Sequence, residues 1–113
     1  VLVINRFVVA EDAAADFESR GHAALAALSA RPGYVSGRLT RALDDPAHWS
    51  LVTDWESVGA YRRALGDFDV KIAAIPLMAE SVDEPSAFEE LATAAPGGEV
   101  QVVDSDRARH PHR

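Results

Sequence analysis

Ser50-Leu51-Val52-Thr53-Asp54-Trp55-Glu56-Ser57-Val58-Gly59-Ala60-Tyr61-Arg62 is the stretch on which the reading of this chain turns. Its first half is apolar and β-branched, which suits a strand. Its second half opens a helical pattern, with Ser57 placed to cap the helix. Trp55 and Tyr61, two aromatics with polar tips, stand six residues apart across that junction. Val58, Tyr61, Leu65, Phe68 and Ile72 then recur at three- and four-residue spacing and predict the apolar stripe of the helix. Gly66-Asp67 predicts a break or kink within it, because glycine costs about 1 kcal/mol in a helix interior. Pro76 is expected to end the helix or bend its last turn.

Toward the N-terminus, His48 to Glu56 reads as one strand and Tyr34 to Leu43 as another. The short Asp44-Asp45-Pro46 turn between them predicts an antiparallel hairpin. On the first of these, Tyr34, Ser36, Arg38 and Thr40 are expected on one face and Val35, Gly37 and Leu39 on the other. Ala13 to Ala30 has a helical repeat in Phe17, Gly21, Ala24, Leu25 and Leu28. Arg31-Pro32-Gly33 stops it, since proline cannot continue a helix and glycine accepts the positive φ of the turn. Acidic Glu11 and Asp12 suit the N-terminal end of that helix. Leu2 to Val9 is a β-rich run interrupted by Asn5 and Arg6. Toward the C-terminus, Ser86 to Ala92 reads as a strand, Ala95-Pro96-Gly97-Gly98 as a loop and Glu99 to Val103 as a further short strand. The order β-α-β-β-α-β predicts an α+β, ferredoxin-like fold with an antiparallel sheet. Residues 1–103 are expected to form one domain and residues 104–113 a flexible tail. Two helices cover one sheet face and leave the other bare, so a homodimer built by packing two such faces is expected.

Composition narrows the function. The 113 residues carry a formal net charge of -7, which disfavours binding to nucleic acid or to an anionic membrane surface. The absence of cysteine removes disulfides, thiolate nucleophiles and Cys-based metal sites. No stretch approaches the ~20 apolar residues of a membrane span. The first residues lack the basic start and long apolar run of a signal peptide, so the expected location is cytoplasmic. No glycine-rich phosphate loop, nucleophile elbow or His/carboxylate metal spacing occurs.

Asn5-Arg6, the Arg31-Pro32-Gly33-Tyr34 turn and Trp55-Glu56-Ser57…Ala60-Tyr61-Arg62 together resemble the antibiotic biosynthesis monooxygenase superfamily, over roughly Leu2 to Leu91. The resemblance implies a dimeric α+β barrel. In its quinone-forming branch it implies oxidation of a phenolic or polycyclic aromatic by dioxygen, with no flavin, haem or metal cofactor. The tryptophan and tyrosine of that branch that match Trp55 and Tyr61 lie near the substrate. The branch's asparagine four residues before the tryptophan falls on Leu51, and its second-helix arginine near Ile75, so this chain departs from the pattern at both positions. The haem-degrading branch matches at Asn5, but its helical tryptophan and histidine fall on Ala64 and Ala74. With no histidine between His48 and His110, haem degradation is disfavoured.

The candidate catalytic residues are therefore Asn5, Trp55, Tyr61 and His22, with no cofactor-binding or metal-ligating residue. Each has a plainer reading beside the functional one. Trp55 at a strand end suits a core or interface aromatic, and Tyr61 suits packing with a satisfied hydroxyl. A buried amide at Asn5 needs a partner or costs about 1–3 kcal/mol. Arg6 must point to the opposite face from Asn5. His22, one residue off the helical stripe, is either half-exposed or a general base. His48 is expected in solvent, and His110 and His112 in the tail. The expected function is a cofactor-independent monooxygenase using a small aromatic substrate and dioxygen. A non-catalytic binding or structural dimer, and an isomerase or cyclase, are the alternatives.

Overall fold

Residues 1–104 are described by a computed structural model. The elements are β1 (Leu2–Val8), a 3-10 turn (Glu11–Ala13), α1 (Ala14–Ser29), β2 (Tyr34–Arg41), β3 (His48–Trp55), α2 (Val58–Leu65), α3 (Phe68–Ala73), α4 (Ile75–Met78), β4 (Ala87–Phe88), β5 (Ala92–Thr93) and β6 (Gln101–Val102). Four strands form an antiparallel sheet in the order β2-β3-β1-β4, the ferredoxin-like arrangement expected from the sequence. The first strand thus lies in the middle of the sheet. It pairs along its whole length with β3, from Leu2 opposite Asp54 to Val8 opposite His48.

Alternation along the strands sorts the two faces. Val3, Asn5 and Phe7 of β1, with Trp49, Leu51, Thr53 and Trp55 of β3, are buried on the face that receives the helices. Phe17, Ala24 and Leu28 of α1 and Ala60, Tyr61 and Ala64 of α2 close the core over them. Phe17 packs edge-on between Phe7 and Trp49, with ring centroids 4.9 and 5.3 Å away. Arg20 of α1 donates to both carboxylate oxygens of Glu80, at 3.2 and 2.6 Å, and ties the segment after α4 to α1. That guanidinium holds the Glu80 carboxyl below its ordinary value.

The structure departs from the sequence reading in four places. The second helix breaks at Gly66-Asp67 as expected, but it restarts in a new phase and continues as two further short helices. Gly66 ends α2, and Asp67 caps α3 by accepting from the N–H groups of Asp69 and Val70. The restart shifts the helical phase, so Phe68 and Ile72 are 73% and 64% exposed, while Val70, Ala74 and Leu77 enter the core. Pro76 lies in the first turn of α4, where its missing N–H is tolerated. On β2, a register shift between Tyr34 and Ser36 expels Val35 to solvent and turns Tyr34 toward the core. Finally, the run expected as one strand from Ser86 to Ala92 is divided. Ala87–Phe88 joins the main sheet, and Ala92–Thr93 pairs with Gln101–Val102 in a separate hairpin whose residues are all exposed. Residues 105–113, including His110 and His112, lie outside the described residues.

Among the described residues, no helix is long and apolar enough to cross a membrane. Nor is any group of three or more His, Cys, Asp or Glu side chains among the described residues placed to hold a metal ion.

Candidate functional site

The junction between β3 and α2 is built from backbone bonds that leave little freedom. The Trp55 N–H donates to the Val1 carbonyl at 2.8 Å, and the Glu56 N–H to the Gly33 carbonyl at 2.8 Å. Ser57 then caps α2 by accepting from the Ala60 N–H at 3.0 Å. Gly33 has φ +88°, and a Cβ there would collide with the Cβ of Ala60. This close approach of the β2 entry turn to α2 sets the position of Tyr61 one residue on.

Three aromatics meet here. The Trp55 ring lies 5.4 Å from Tyr34 in an edge-on arrangement and 5.7 Å from Tyr61 in a tilted one. Trp55 is 1% exposed, and its indole N–H donates to the Thr53 hydroxyl at 2.9 Å. That donor is therefore spent inside the fold. The Tyr34 hydroxyl lies over Gly37, where a Cβ would collide with it, so this glycine makes room for a phenol. Burial pushes the phenols of Tyr61 and Tyr34 above their ordinary value, and both remain neutral hydrogen-bonding groups near neutral pH. The Tyr61 hydroxyl makes no hydrogen bond to another described residue.

Asn5 is 7% exposed and shares the inward face with Thr53, two register pairs away. Its side chain makes no hydrogen bond to another described residue, although the fully buried unpartnered side-chain atoms among those residues are Arg31 Nε and Trp49 Nε1 and not its amide. Leu51, directly opposite Asn5, is fully buried on the same face. It fills with hydrocarbon the position at which the quinone-forming branch carries an amide.

His22 stands apart from this cluster. It is on the exposed side of α1, with its imidazole 3.7 Å from the Glu18 carboxylate. It lines a cleft with Leu39, Arg41 and Trp49. Trp49 and Trp55 are six residues apart along β3, about 20 Å at strand rise, so His22 faces the far end of the sheet. His48 is exposed and paired with Asp45 at 3.1 Å. Four surface clefts among the described residues line this far end and its neighbourhood, and none of the four is bordered by Asn5, Trp55 or Tyr61. The structure thus brings Trp55 and Tyr61 together and places Asn5 on the same buried face. Tyr34 is the member of the cluster that alternation hides, because only the bulge before Ser36 turns it inward.

A comparison with curated protein sequences finds no match. Among solved structures, the chain is similar to SnoaB, a cofactor-independent oxygenase from Streptomyces nogalater. The identity is 31% and the TM-score 0.63, over 80% of this chain and 94% of that one. A Deinococcus radiodurans protein grouped with the antibiotic biosynthesis monooxygenases shares the fold at 18% identity and TM-score 0.67, over 83% of this chain and 94% of that one. One from Caulobacter crescentus does so at 21% identity and TM-score 0.60, over 76% and 81%. The family model for antibiotic biosynthesis monooxygenases matches residues 1–70, which contain β1, the bulged β2 entry, Trp55 and Tyr61. The chain belongs to the antibiotic biosynthesis monooxygenase family.

Proposed function

We propose that this protein is a cofactor-independent monooxygenase that oxidises a phenolic or polycyclic aromatic with dioxygen. The observation that supports the reading is the meeting of Trp55, Tyr61 and Tyr34 at the start of α2, with Asn5 on the same inward sheet face, in a chain 31% identical to a cofactor-independent oxygenase. An electron-rich phenol, once ionised, can give an electron to dioxygen and act as its own reductant. Recombination at the ring carbon forms a C–O bond. Loss of the remaining C–H proton with O–O cleavage yields the ketone and water. Overall a CH2 group and O2 become C=O and H2O, and the four electrons balance.

The residues have distinct duties in this scheme. The Trp55 indole, with its N–H held by Thr53, offers a fixed apolar wall. Tyr61, a neutral phenol whose ionisation burial disfavours further, donates a hydrogen bond to a substrate oxygen. Asn5 binds an oxygen of the substrate or of the peroxide. The low-dielectric surroundings strengthen both bonds. The exposed His22 is too far along the sheet to serve as the base. Residues 1–103 act as one domain and the protein works as a cytoplasmic homodimer, paired through the sheet face opposite the helices.

The test is oxygen uptake by metal-free protein given an anthrone-type phenol. Uptake above the substrate's own autoxidation, reduced in Trp55→Phe and in Tyr61→Phe, supports the proposal. A non-catalytic binding role is the second reading, favoured by Leu51 filling the inward face and by the internal satisfaction of Trp55. It would show as ligand binding without uptake. Turnover without oxygen would point instead to an isomerase or cyclase.

A further inference from the structure

A second cluster lies at the opposite end of the sheet, where Arg41 and Trp49 are cross-strand partners on the helix-facing side. The Arg41 guanidinium rests 5.1 Å from the centre of the Trp49 ring. Trp49 is buried, yet its indole N–H has no hydrogen-bond partner. A buried donor in that state calls for a partner that enters from outside the chain. Three clefts border Arg41. One, of about 190 Å³, is lined by Glu18, His22, Leu39, Thr40, Arg41 and Trp49. A second, of about 180 Å³, runs from Arg41 to Asp45 and Pro46 of the β2–β3 turn and to Glu11 and Ala14. A third, of about 270 Å³, reaches from Arg41 and Trp49 to Arg6, His48 and Ser50. The Arg41 side chain is the partition between the first two.

The charges around this partition are arranged unequally. Glu18 faces the His22 imidazole at 3.7 Å, and Asp45 faces that of His48 at 3.1 Å. Other arginines nearby have carboxylate partners: Arg6 with Glu84 and Arg20 with Glu80. Arg41 forms no ion pair among the described residues and has only an indole face beneath it. The one remaining acid on the rim, Glu11, lies in the second cleft. A cation parked on an aromatic ring is a weakly held arrangement when it is exposed. A flat ligand can take the ring face and offer the guanidinium a carboxylate, which it binds in forked geometry.

We propose that this is a second ligand site, separate from the Trp55–Tyr61 cluster, and that it takes a small planar aromatic carboxylate. The ligand ring enters the cleft bordered by Leu39 and Thr40 and stacks on Trp49. Arg41 swings off the indole to meet the carboxylate, and the Trp49 N–H gains an acceptor. Each cleft is smaller than the roughly 300–1,000 Å³ of drug-sized pockets, so the ligand class is a one-ring acid. The site is independent of the oxygenase proposal, because it shares no side chain with it.

The chain has two tryptophans, and their indole N–H groups report the two regions separately in a proton–nitrogen correlation spectrum of the whole protein. Titration with benzoate is expected to shift the Trp49 resonance saturably and to leave that of Trp55 in place. Trp49→Phe assigns the two signals. Arg41→Gln, at an exposed position, is expected to weaken benzoate by about tenfold or more while the rest of the spectrum is unchanged. Benzyl alcohol is expected to bind much more weakly than benzoate. The proposal is overturned if the Trp49 signal does not respond, if only the Trp55 signal moves, if Arg41→Gln binds benzoate as well as the parent, or if benzyl alcohol binds equally.

Discussion

At the scale of single residues, the Trp55–Thr53 hydrogen bond sets the character of the aromatic cluster. Thr53→Val keeps the shape of the side chain and removes the acceptor, leaving a buried indole N–H unpaired. The expected cost is about 1–3 kcal/mol in urea unfolding, with the fold retained. The buried phenols give a pH dependence of definite sign. Tyr61 has an ordinary pKa of 10.0, and burial raises it in the folded protein. Its neutral form is favoured by folding, so the stabilisation is complete below the unfolded value and is lost as pH rises through the folded one. Unfolding free energy is therefore expected to fall on going alkaline of about pH 10, and to fall less steeply in Tyr61→Phe. Equal slopes for the two proteins would contradict this assignment. The sequence made Trp55, Tyr61 and Asn5 visible as residues of unusual placement. It concealed Tyr34, whose inward turn depends on one extra residue in a strand. It also concealed the separation of His22, since helical periodicity says how a helix rotates and not which end of the sheet it reaches.

At the scale of elements, the three-part second helix shows where pattern reading stops. The glycine at 66 was legible as a break, but Phe68 and Ile72 continue the apolar spacing across it as though the helix were unbroken. The Asp67 cap restarts the count, and the core takes Val70, Ala74 and Leu77 instead. Ile72→Ser is accordingly expected to change stability by no more than about 0.5 kcal/mol. Leu77→Ala, at a fully buried position, should cost about 2–5 kcal/mol. Thermal or urea unfolding of the two variants separates this packing from a continuous stripe, which would reverse the order. Gly33 is the complementary case, because its need for a positive φ was legible in Arg31-Pro32-Gly33. Gly33→Ala adds a collision with Ala60 to the backbone strain and is expected to cost at least about 1–3 kcal/mol.

At the scale of the whole molecule, the two sheet faces are unequal. The helices cover one, and the other presents Leu2, Ile4 and Val52, with Phe88 beside Leu2 at the β4 edge. The β5–β6 hairpin adds exposed Leu91, Val100 and Val102. An isolated two-stranded hairpin is marginal in water, which accords with a second copy covering this region. Sedimentation is expected to return twice the chain mass, and Ile4→Arg, which points away from the core, to shift it toward the monomer. A monomer for the parent at micromolar concentration would remove the dimer proposal. The order of the elements was readable from local pattern, whereas the exchange of a long fourth strand for two residues and a separate hairpin was not. Nothing in Ser86 to Ala92 marks which residues find a partner.

The central position of β1 also orders the events of folding. The β2–β3 hairpin closes over a loop of a few residues and can form at once. β1 must wait for a partner more than forty positions away at most of its register, and its other neighbour, β4, lies later still in the chain. The strand that organises the sheet is thus recruited after the pair it completes, and the entropy of that long closure governs the rate. Substitutions that loosen the Asp44-Asp45-Pro46 turn should slow refolding, while those in β4 should chiefly hasten unfolding.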